Sequence, residues 1–293
     1  MKRLIHAAIV GGLATSLIAP GAARGQSAGP QPWLSDRGTG VRTSIFGTYV
    51  RRGELLISPF FEYYLDNNLE YKPAELGYAL DQDFRGRFRA SEGLIFLTYG
   101  VTDRLAIEFE AAVIRATLTK APEDPSTMPQ RLTESGRGDW QVQLDWRWLP
   151  ETARRPEIFS YFEVVPPSNR SRPLIGTSDF EYKVGSGVIR GLPWGTLTAR
   201  ASWQYSQADK TAELGEYAVE YLKHLSPRWR VYAGIEGVQD EVELIGEAQW
   251  HLSEQLYLRL NSAFGLTSKT IDWAPDVGIV FAVPIGKKAS AEE

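Results

Sequence analysis

Residues 140–148 read Trp-Gln-Val-Gln-Leu-Asp-Trp-Arg-Trp, and this stretch decides the fold. Apolar side chains occupy every second position from Trp140 to Trp148, and polar side chains occupy the positions between them. Successive side chains of a β-strand point to opposite faces, so a strict period of two predicts a strand with one apolar face. The chain is therefore predicted to be all-β, because the same alternation recurs over residues 105–113, 197–205, 229–236 and 256–264.

Segments of this kind number twelve, an even number. They cover residues 54–65, 84–98, 104–118, 138–149, 156–166, 179–190, 195–206, 213–224, 228–238, 241–251, 255–265 and 275–285. The connections between them alternate between mostly longer loops and short turns, so one end of the sheet carries loops and the other carries turns. Strands of about ten residues with alternating faces and unequal connections predict a transmembrane antiparallel β-barrel of the bacterial outer membrane. The alternative fold is a soluble β-sandwich, whose inner faces alternate as well.

The two ends of the chain differ in composition from the strands. Lys2 and Arg3 precede an apolar run and then small residues, which is the pattern of a secretory signal peptide over residues 1–25. We predict the remaining organisation as a periplasmic N-terminal extension (26–52), the outer-membrane barrel (53–285) and a charged C-terminal tail (286–293). Whether the extension enters the barrel as a plug stays open at this stage. The predicted location is the bacterial cell outer membrane.

Composition excludes several classes of function. The 293 residues include 32 Lys and Arg against 36 Asp and Glu, which gives no charge-based reason to expect a nucleic-acid partner. The absence of cysteine excludes disulfides, thiolate metal sites and a cysteine nucleophile. No apolar run in the mature chain reaches the ~18 residues of a membrane helix. We expect no metal and no cofactor, since no phosphate-binding glycine loop opens a helix and the histidines lack an obvious set of further ligands.

Tryptophans near strand ends predict an aromatic girdle. If the N-terminus starts in the periplasm, Trp148, Trp229 and Trp250 lie near the periplasmic end of the barrel. Trp140 and Trp203 then lie near the outer end. Indole rings are enriched where membrane proteins meet lipid headgroups, so these five residues fit one orientation of the barrel.

The polar strand faces predict the lining of the barrel interior, with both signs of charge. The candidates are Arg85, Arg87, Arg89, Glu108, Glu110, Asp145, Arg147, Arg200, Glu216, Glu220, Arg230, Glu236, Glu243, Glu247 and Arg259. Such residues either pair into a network that fills a small barrel or line a water-filled pore. Because Arg85, Arg87 and Arg89 carry like charge on one face, we expect them to meet lipopolysaccharide phosphates or the Glu216 and Glu220 side of the interior.

A turn phrase recurs on the side of the short turns, and it carries a family resemblance. The phrase and its companion motifs are Tyr99-Gly-Val-Thr-Asp-Arg-Leu105, Leu225-Ser-Pro-Arg-Trp229, Leu252-Ser-Glu-Gln-Leu256, Gly136-Arg-Gly-Asp139, Leu266-Thr-Ser268 and Ala274-Pro-Asp-Val-Gly278. Together they resemble the outer-membrane family of phenol meta-cleavage pathway transporters, over most of residues 53–285. The resemblance implies a β-barrel channel that passes small, often aromatic or apolar, molecules across the outer membrane.

Three functions remain open from sequence. The first is an outer-membrane channel for passive or facilitated diffusion of small solutes, surrounded by outer-membrane lipids and lipopolysaccharide. The second is a sealed structural or interaction barrel. The third is a lipid hydrolase, because His224 and His251 each stand two residues before a serine. Both pairs lie on the recurring turn phrase, so we interpret the serines as turn residues and expect no enzymatic activity.

Overall fold

Twelve antiparallel strands close into one barrel in the computed structural model, which describes residues 31–168, 171–208 and 210–285. A short hairpin, β1 (Val41–Arg42) and β2 (Tyr49–Val50), precedes them. The barrel strands are β3 (Glu54–Tyr71), β4 (Phe84–Gly100), β5 (Leu105–Thr119), β6 (Arg131–Leu149), β7 (Glu157–Val165), β8 (Glu181–Leu192), β9 (Gly195–Ser206), β10 (Thr211–Ser226), β11 (Trp229–Val238), β12 (Glu241–Ser253), β13 (Leu256–Gly265) and β14 (Trp273–Pro284). Each strand pairs with the next, and β14 closes onto β3. The predicted all-β fold and strand number are confirmed.

Only short 3₁₀ segments accompany the strands in the described residues, at Pro32–Leu34 and Pro73–Leu76. None of the helical segments in the described chain has the length and apolar character needed to cross a membrane.

The outer surface of the barrel is apolar. Val113, Trp203 and Val219 are each at least 61% exposed, and every barrel strand presents apolar side chains on the same outer side. A continuous apolar band of this extent is unstable in water and suits contact with lipid chains. The outward face predicted for residues 140–148 is confirmed, because Trp140, Leu144, Trp146 and Trp148 are all exposed while Gln143 and Asp145 are buried.

The connections sort into two ends, as the sequence predicts. The loop end carries residues 72–83, 120–130, 166–168, 171–180, 207–208, 210, 239–240 and 266–272 of the described chain. The turn end carries residues 101–104, 150–156, 193–194, 227–228 and 254–255, together with the start of β3 and the end of β14. Strands β3 and β6 extend further toward the loop end than their apolar patterns indicate, because backbone pairing continues where the side chains become polar.

The faces of β4 and β7 are mixed, and each of these strands has a register shift against one of its two neighbours. The sequence predicts a bulge or a different register in these two strands, since Glu92 shares a face with Phe88, Leu94 and Phe96, and neither face of β7 is uniformly apolar. β4 pairs regularly with β5, and β7 pairs regularly with β8. Against their other neighbours the register shifts, between Asp66 and Leu69 of β3 opposite β4 and between Arg147 and Leu149 of β6 opposite β7, so the irregularity is confirmed and its extra residue lies in the neighbouring strand. The interior of this barrel is itself partly apolar, and the inner face of β4 therefore carries both kinds of side chain.

The loop end is covered by its own connections. Leu76, Met128 and Ile175 come from three different loops and pack with the inner side chains Phe88 and Leu118 in one buried apolar cluster. This cluster closes part of the barrel mouth above β3 to β6.

Candidate functional site

Twelve of the fifteen predicted lining residues face the interior, eight of them acidic and four basic. They are Glu108, Glu110, Asp145, Arg147, Arg200, Glu216, Glu220, Arg230, Glu236, Glu243, Glu247 and Arg259. Acidic side chains therefore outnumber basic ones among the predicted lining residues that face inward. Further inward carboxylates that the sequence did not single out, including Glu157 and Glu163 on β7, increase this excess.

The predicted inward orientation of Arg85, Arg87 and Arg89 on β4 is wrong. Phe84, Phe88 and Ala90 point inward and are at most 6% exposed, so Arg85, Arg87 and Arg89 point outward. The apolar side chains of this segment pack under the loops instead of facing lipid. In this segment, therefore, the apolar face points inward and the polar face points outward. These three arginines therefore cannot contact Glu216 and Glu220, which pair with other cations inside the barrel.

Residues 31–52, which we call the plug, lie inside the turn half of the barrel. Their side chains contact β5, β7 and β10 to β13, which lie on different sides of the wall. The backbone also runs close to the wall, since a Cβ atom at Gly191 would lie 1.8 Å from the Trp33 carbonyl oxygen. The sequence left open whether the predicted N-terminal extension enters the barrel, and residues 31–52 lie within it. Residues 1–30 and the tail 286–293 lie outside the described residues, so the predicted signal peptide does too.

Arg37 attaches the first part of the plug. One of its Nη atoms donates to Glu151 and to Glu157, at 3.1 Å from each. All three side chains are nearly inaccessible to solvent. Buried charges are stable only when they are paired and hydrogen-bonded, so this contact holds the plug against the turn end.

Arg42 attaches the middle of the plug. Its guanidinium donates to Glu220 at 2.7 Å, and Arg200 donates to the same carboxylate at 2.6 Å. Arg200 also bonds Glu236 at 2.7 Å and pairs with Glu216. The plug is thus part of an ion-pair network that continues through the wall strands β9, β10 and β11.

The tip of the hairpin packs against β11 and β12. Phe46 stacks on Tyr232 with ring centroids 5.0 Å apart, and its carbonyl accepts a bond from Gln249. The turn needs a left-handed residue, and Gly47 supplies it at φ 62°. On the opposite side, the Ser44 amide donates to Glu108 at 3.2 Å.

A cavity of about 420 Å³ lies between the plug and the loop end. Its floor is the hairpin tip from Ser44 to Phe46, and Thr270 and Ile271 border it at the loop end. Its apolar lining is Ile45, Phe46, Phe60, Leu94, Phe96, Val238, Ile245, Ala263, Ile271 and Ala274. Seven carboxylates and one arginine also line it: Glu62, Glu92, Glu110, Glu236, Glu241, Glu243, Asp276 and Arg259. The cavity therefore combines aromatic walls with acidic groups.

Several carboxylates of the cavity have defined partners. Arg259 bonds Asp276 at 2.6 Å and lies over the Phe60 ring at 5.0 Å. Tyr64 donates to Glu92 at 3.1 Å. The sequence did not select Glu62, Glu92 or Asp276, although each has the strand parity of an inward residue.

The seam between β3 and β14 forms one side of this cavity. Phe60 and Asp276 line the cavity from these two strands. Their pairing is interrupted next to Pro59 and again next to Pro275. Proline has no amide hydrogen to donate to a neighbouring strand, so the barrel has fewer backbone hydrogen bonds here.

The tryptophans named from sequence all lie on the outer face. Trp229 and Trp250 stack with ring centroids 6.0 Å apart beside the turn end, and Trp148 lies on the same end of β6. Trp203 lies toward the loop end of β9, whereas Trp140 lies near the middle of the long strand β6. Their role as a girdle at the headgroups stays a prediction.

The two histidine and serine pairs lie at the turn end. Ser226 Oγ accepts hydrogen bonds from the amides of Arg228 and Trp229, and Ser253 Oγ accepts one from the amide of Gln255. These contacts are those of turn residues. His224 Nδ1 lies 2.9 Å from the Ser35 carbonyl of the plug. The pairs therefore support the turn interpretation over a hydrolase.

A closed twelve-strand barrel with an apolar exterior defines a membrane β-barrel of the outer-membrane type. The fold resembles an outer membrane channel from Pseudomonas putida F1, with a TM-score of 0.60, 12% identity and coverage of 80% of this chain and 97% of that chain. The outer membrane phospholipase A of Escherichia coli gives a TM-score of 0.43 at 9% identity, covering 77% and 92%. The P. putida toluene transporter TodX gives a TM-score of 0.38 at 8% identity, covering 80% and 90%. No family model and no curated protein matches the sequence.

Proposed function

We propose that this protein is an outer-membrane channel that passes small apolar or aromatic solutes by passive diffusion. The observation that carries the proposal is the cavity lined by Phe46, Phe60 and Phe96 inside the loop half of the barrel. Its volume of about 420 Å³ accommodates a small aromatic molecule, since a cavity of about 150 Å³ is enough for benzene. The likeness to the P. putida F1 outer membrane channel supports a channel fold. The resemblance to phenol meta-cleavage pathway transporters supports an aromatic or apolar cargo.

The route follows from what surrounds the cavity. Longer loops of outer-membrane barrels face outward, so a solute enters from the loop end past residues 72–83 and 120–130. The plug closes the way toward the turn end. The pairing of β3 with β14, beside the cavity, is interrupted at Pro59 and at Pro275, so we infer that an apolar solute leaves through this seam into the membrane.

Uptake of radiolabelled benzene by cells of a channel-deficient Gram-negative strain tests the function. Cells that produce the protein should show an initial uptake several-fold above cells without it. The pairing register places Pro59 opposite Ile279, and the chain has no natural cysteine, so Pro59→Cys with Ile279→Cys allows the seam to be locked. Oxidation should lower uptake, and reduction should restore it.

Two results would contradict the proposal. Equal uptake with and without the protein would reject the channel. Normal uptake with the seam fully oxidised would keep the channel and reject the lateral route. Each cysteine alone serves as the control, because it has the same substitution and no cross-link.

A sealed structural barrel is the second candidate, and one observation favours it. The plug is joined to the wall by buried ion pairs of Arg37 and Arg42, which hold the turn half closed. This function predicts no uptake at all, so the same benzene experiment separates the two candidates.

A further inference from the structure

An arginine-rich surface lies on the outside of the barrel, at the loop end of β4, β5 and β6. We call it the arginine surface. It consists of four exposed arginines, Arg87, Arg89, Arg115 and Arg131, and five hydroxyl residues between them, Ser91, Thr117, Thr119, Thr133 and Ser135. Arg85 and Arg137 lie at its margins.

The strand registers fix this arrangement. Residues directly opposite one another in antiparallel strands share a face. Thr119 lies opposite both Arg87 and Arg131, so one row reads arginine, threonine, arginine. In the next rows Arg89 lies beside two threonines, and Arg115 lies between two serines. Guanidinium groups are therefore interspersed with hydroxyl groups over three strands.

The surface has no acidic member. Glu70 is close to its margin and pairs with Arg85 at 2.9 Å. Among the described residues, Arg87, Arg89, Arg115 and Arg131 make no side-chain hydrogen bond or ion pair with one another or with any other side chain. Like charges close together repel one another, and a bound anion removes that repulsion.

These arginines cannot turn into the barrel. The inner face of the same segments carries Phe88, Ile114 and Leu118, which are at most 6% exposed and packed under the loops. The guanidinium groups are therefore held on the outside.

The arginine surface begins where the apolar band ends. Phe61, Val113 and Trp140 are outward-facing apolar residues on the adjacent rows toward the turn end. Arg115 follows Val113 by two positions on the same face, which is about 7 Å along a strand. The arginines thus lie at the level where lipid headgroups meet the hydrocarbon region.

We propose that the arginine surface binds the phosphate groups of a lipopolysaccharide-type glycolipid in the outer leaflet. Arginine forms paired hydrogen bonds with phosphate oxygens, and neighbouring hydroxyl groups add further donors. A lipid brings its phosphates to this level and covers the adjacent apolar row with its chains at the same time, whereas a free phosphate ion contacts only the charged part. The inference is independent of what the barrel transports.

Lipid binding by the refolded mature protein tests this proposal. Native mass spectrometry would follow a titration with purified lipopolysaccharide, repeated with the same lipid after enzymatic dephosphorylation and with inorganic phosphate as a competitor. The test variant replaces four arginines with serine: R87S, R89S, R115S and R131S. The matched control replaces four exposed arginines of the turn end: R104S, R154S, R155S and R228S.

The test variant should bind lipopolysaccharide at least tenfold more weakly, since four basic residues near an anionic surface are removed. The control should bind as the wild type does, and dephosphorylated lipid should bind the wild type as weakly as intact lipid binds the test variant. Lysine at the same four positions should restore part of the affinity, because charge remains and the paired hydrogen bonds do not.

Equal affinity of the test variant and the control would reject the proposal. Displacement of the lipid by inorganic phosphate at low millimolar concentration would also reject it, in favour of a site for free phosphate. Folding is monitored by heat-resistant migration on a gel. If the fourfold serine variant does not fold, R89S with R115S against R104S with R228S supplies the same comparison.

Discussion

At the scale of single residues, the wall carboxylates that hold the plug also have a second cation. Glu151 pairs with Arg190 at 3.3 Å, and Glu157 pairs with Arg147 at 3.1 Å. Glu220 retains Arg200 in the same way. Removal of a plug arginine therefore leaves Glu151, Glu157 and Glu220 each with a remaining cation.

Replacement of both plug arginines, R37M with R42M, should open the turn half while the barrel stays folded. Planar-bilayer recordings should show discrete conductance steps that the wild type lacks. R200M is the matched control, because it removes one cation from a network of three carboxylates within the wall. The control should lose about 3–5 kcal/mol of stability, the usual cost of breaking a buried ion pair. A silent, wild-type-like recording from the double variant would contradict this role of the plug arginines.

Asp124 fastens the loop 120–130 at the loop end. Tyr71 donates to its Oδ2 at 2.8 Å, the Ser126 amide donates to its Oδ1 at 2.7 Å, and Lys120 lies 3.9 Å away. Burial acts to raise the pKa of Asp124, but these partners outweigh burial and hold the pKa below its ordinary value of 3.8.

A carboxylate with a depressed pKa stabilises the folded state above its unfolded pKa, and this contribution disappears as the pH falls through the folded value. At neutral pH, Asp124→Asn should therefore weaken protection of residues 120–130 by about 1 kcal/mol. The difference from wild type should vanish once the pH is well below 3.8. Hydrogen exchange measures it, with the exposed Asp83→Asn as control. A difference that is independent of pH would contradict the ionic role.

At the scale of elements, the hairpin of the plug depends on its turn. A Cβ atom at Gly47 would lie 2.6 Å from Leu222 Cδ1, and the residue has φ 62°. Gly38 also has positive φ, at 76°, but has open space around it. The two glycines therefore separate backbone strain from the packing of the hairpin against β10.

Gly47→Ala should make the plug open more often, seen as more frequent conductance events in a planar bilayer. Gly38→Ala has the same kind of backbone strain, about 1–2 kcal/mol, and should open less often than the Gly47 variant. Equal opening of both variants would show that strain alone, and not the contact with Leu222, decides how firmly the plug is held.

At the scale of the whole molecule, the inner wall is acidic. Eight of the twelve predicted lining residues that face inward are carboxylates, and the plug brings Arg37 and Arg42 into this environment. The plug therefore also neutralises charge in the turn half. Without it, the interior carries a larger negative excess, and a negative interior concentrates cations.

Deletion of residues 26–52 should give a cation-selective pore. A reversal potential measured across a salt gradient should favour the cation, and the preference should weaken at high salt because the wall charges are screened. Glu236→Gln with Glu243→Gln should reduce the selectivity, whereas the outward change Arg115→Ser should leave it unchanged. An anion-selective pore would contradict the acidic wall.

The sequence by itself determined the strands, their number and most of their faces. Alternation with a period of two is a local property, so residues 140–148 reveal their apolar side without knowledge of any partner. The unequal connections are local as well. The predicted class of fold depended on these features and on the even number of strands.

Tertiary structure alone decided which face of β4 points inward and where the plug lies. Hydropathy cannot distinguish an apolar face turned to lipid from one packed under loops, and Phe84 and Phe88 belong to the second kind. Arg42 and Glu220 are 178 positions apart in the chain, and only closure of the barrel brings them to 2.7 Å. Local periodicity contains no information about such pairs, because the contact depends on how twelve strands close around one segment.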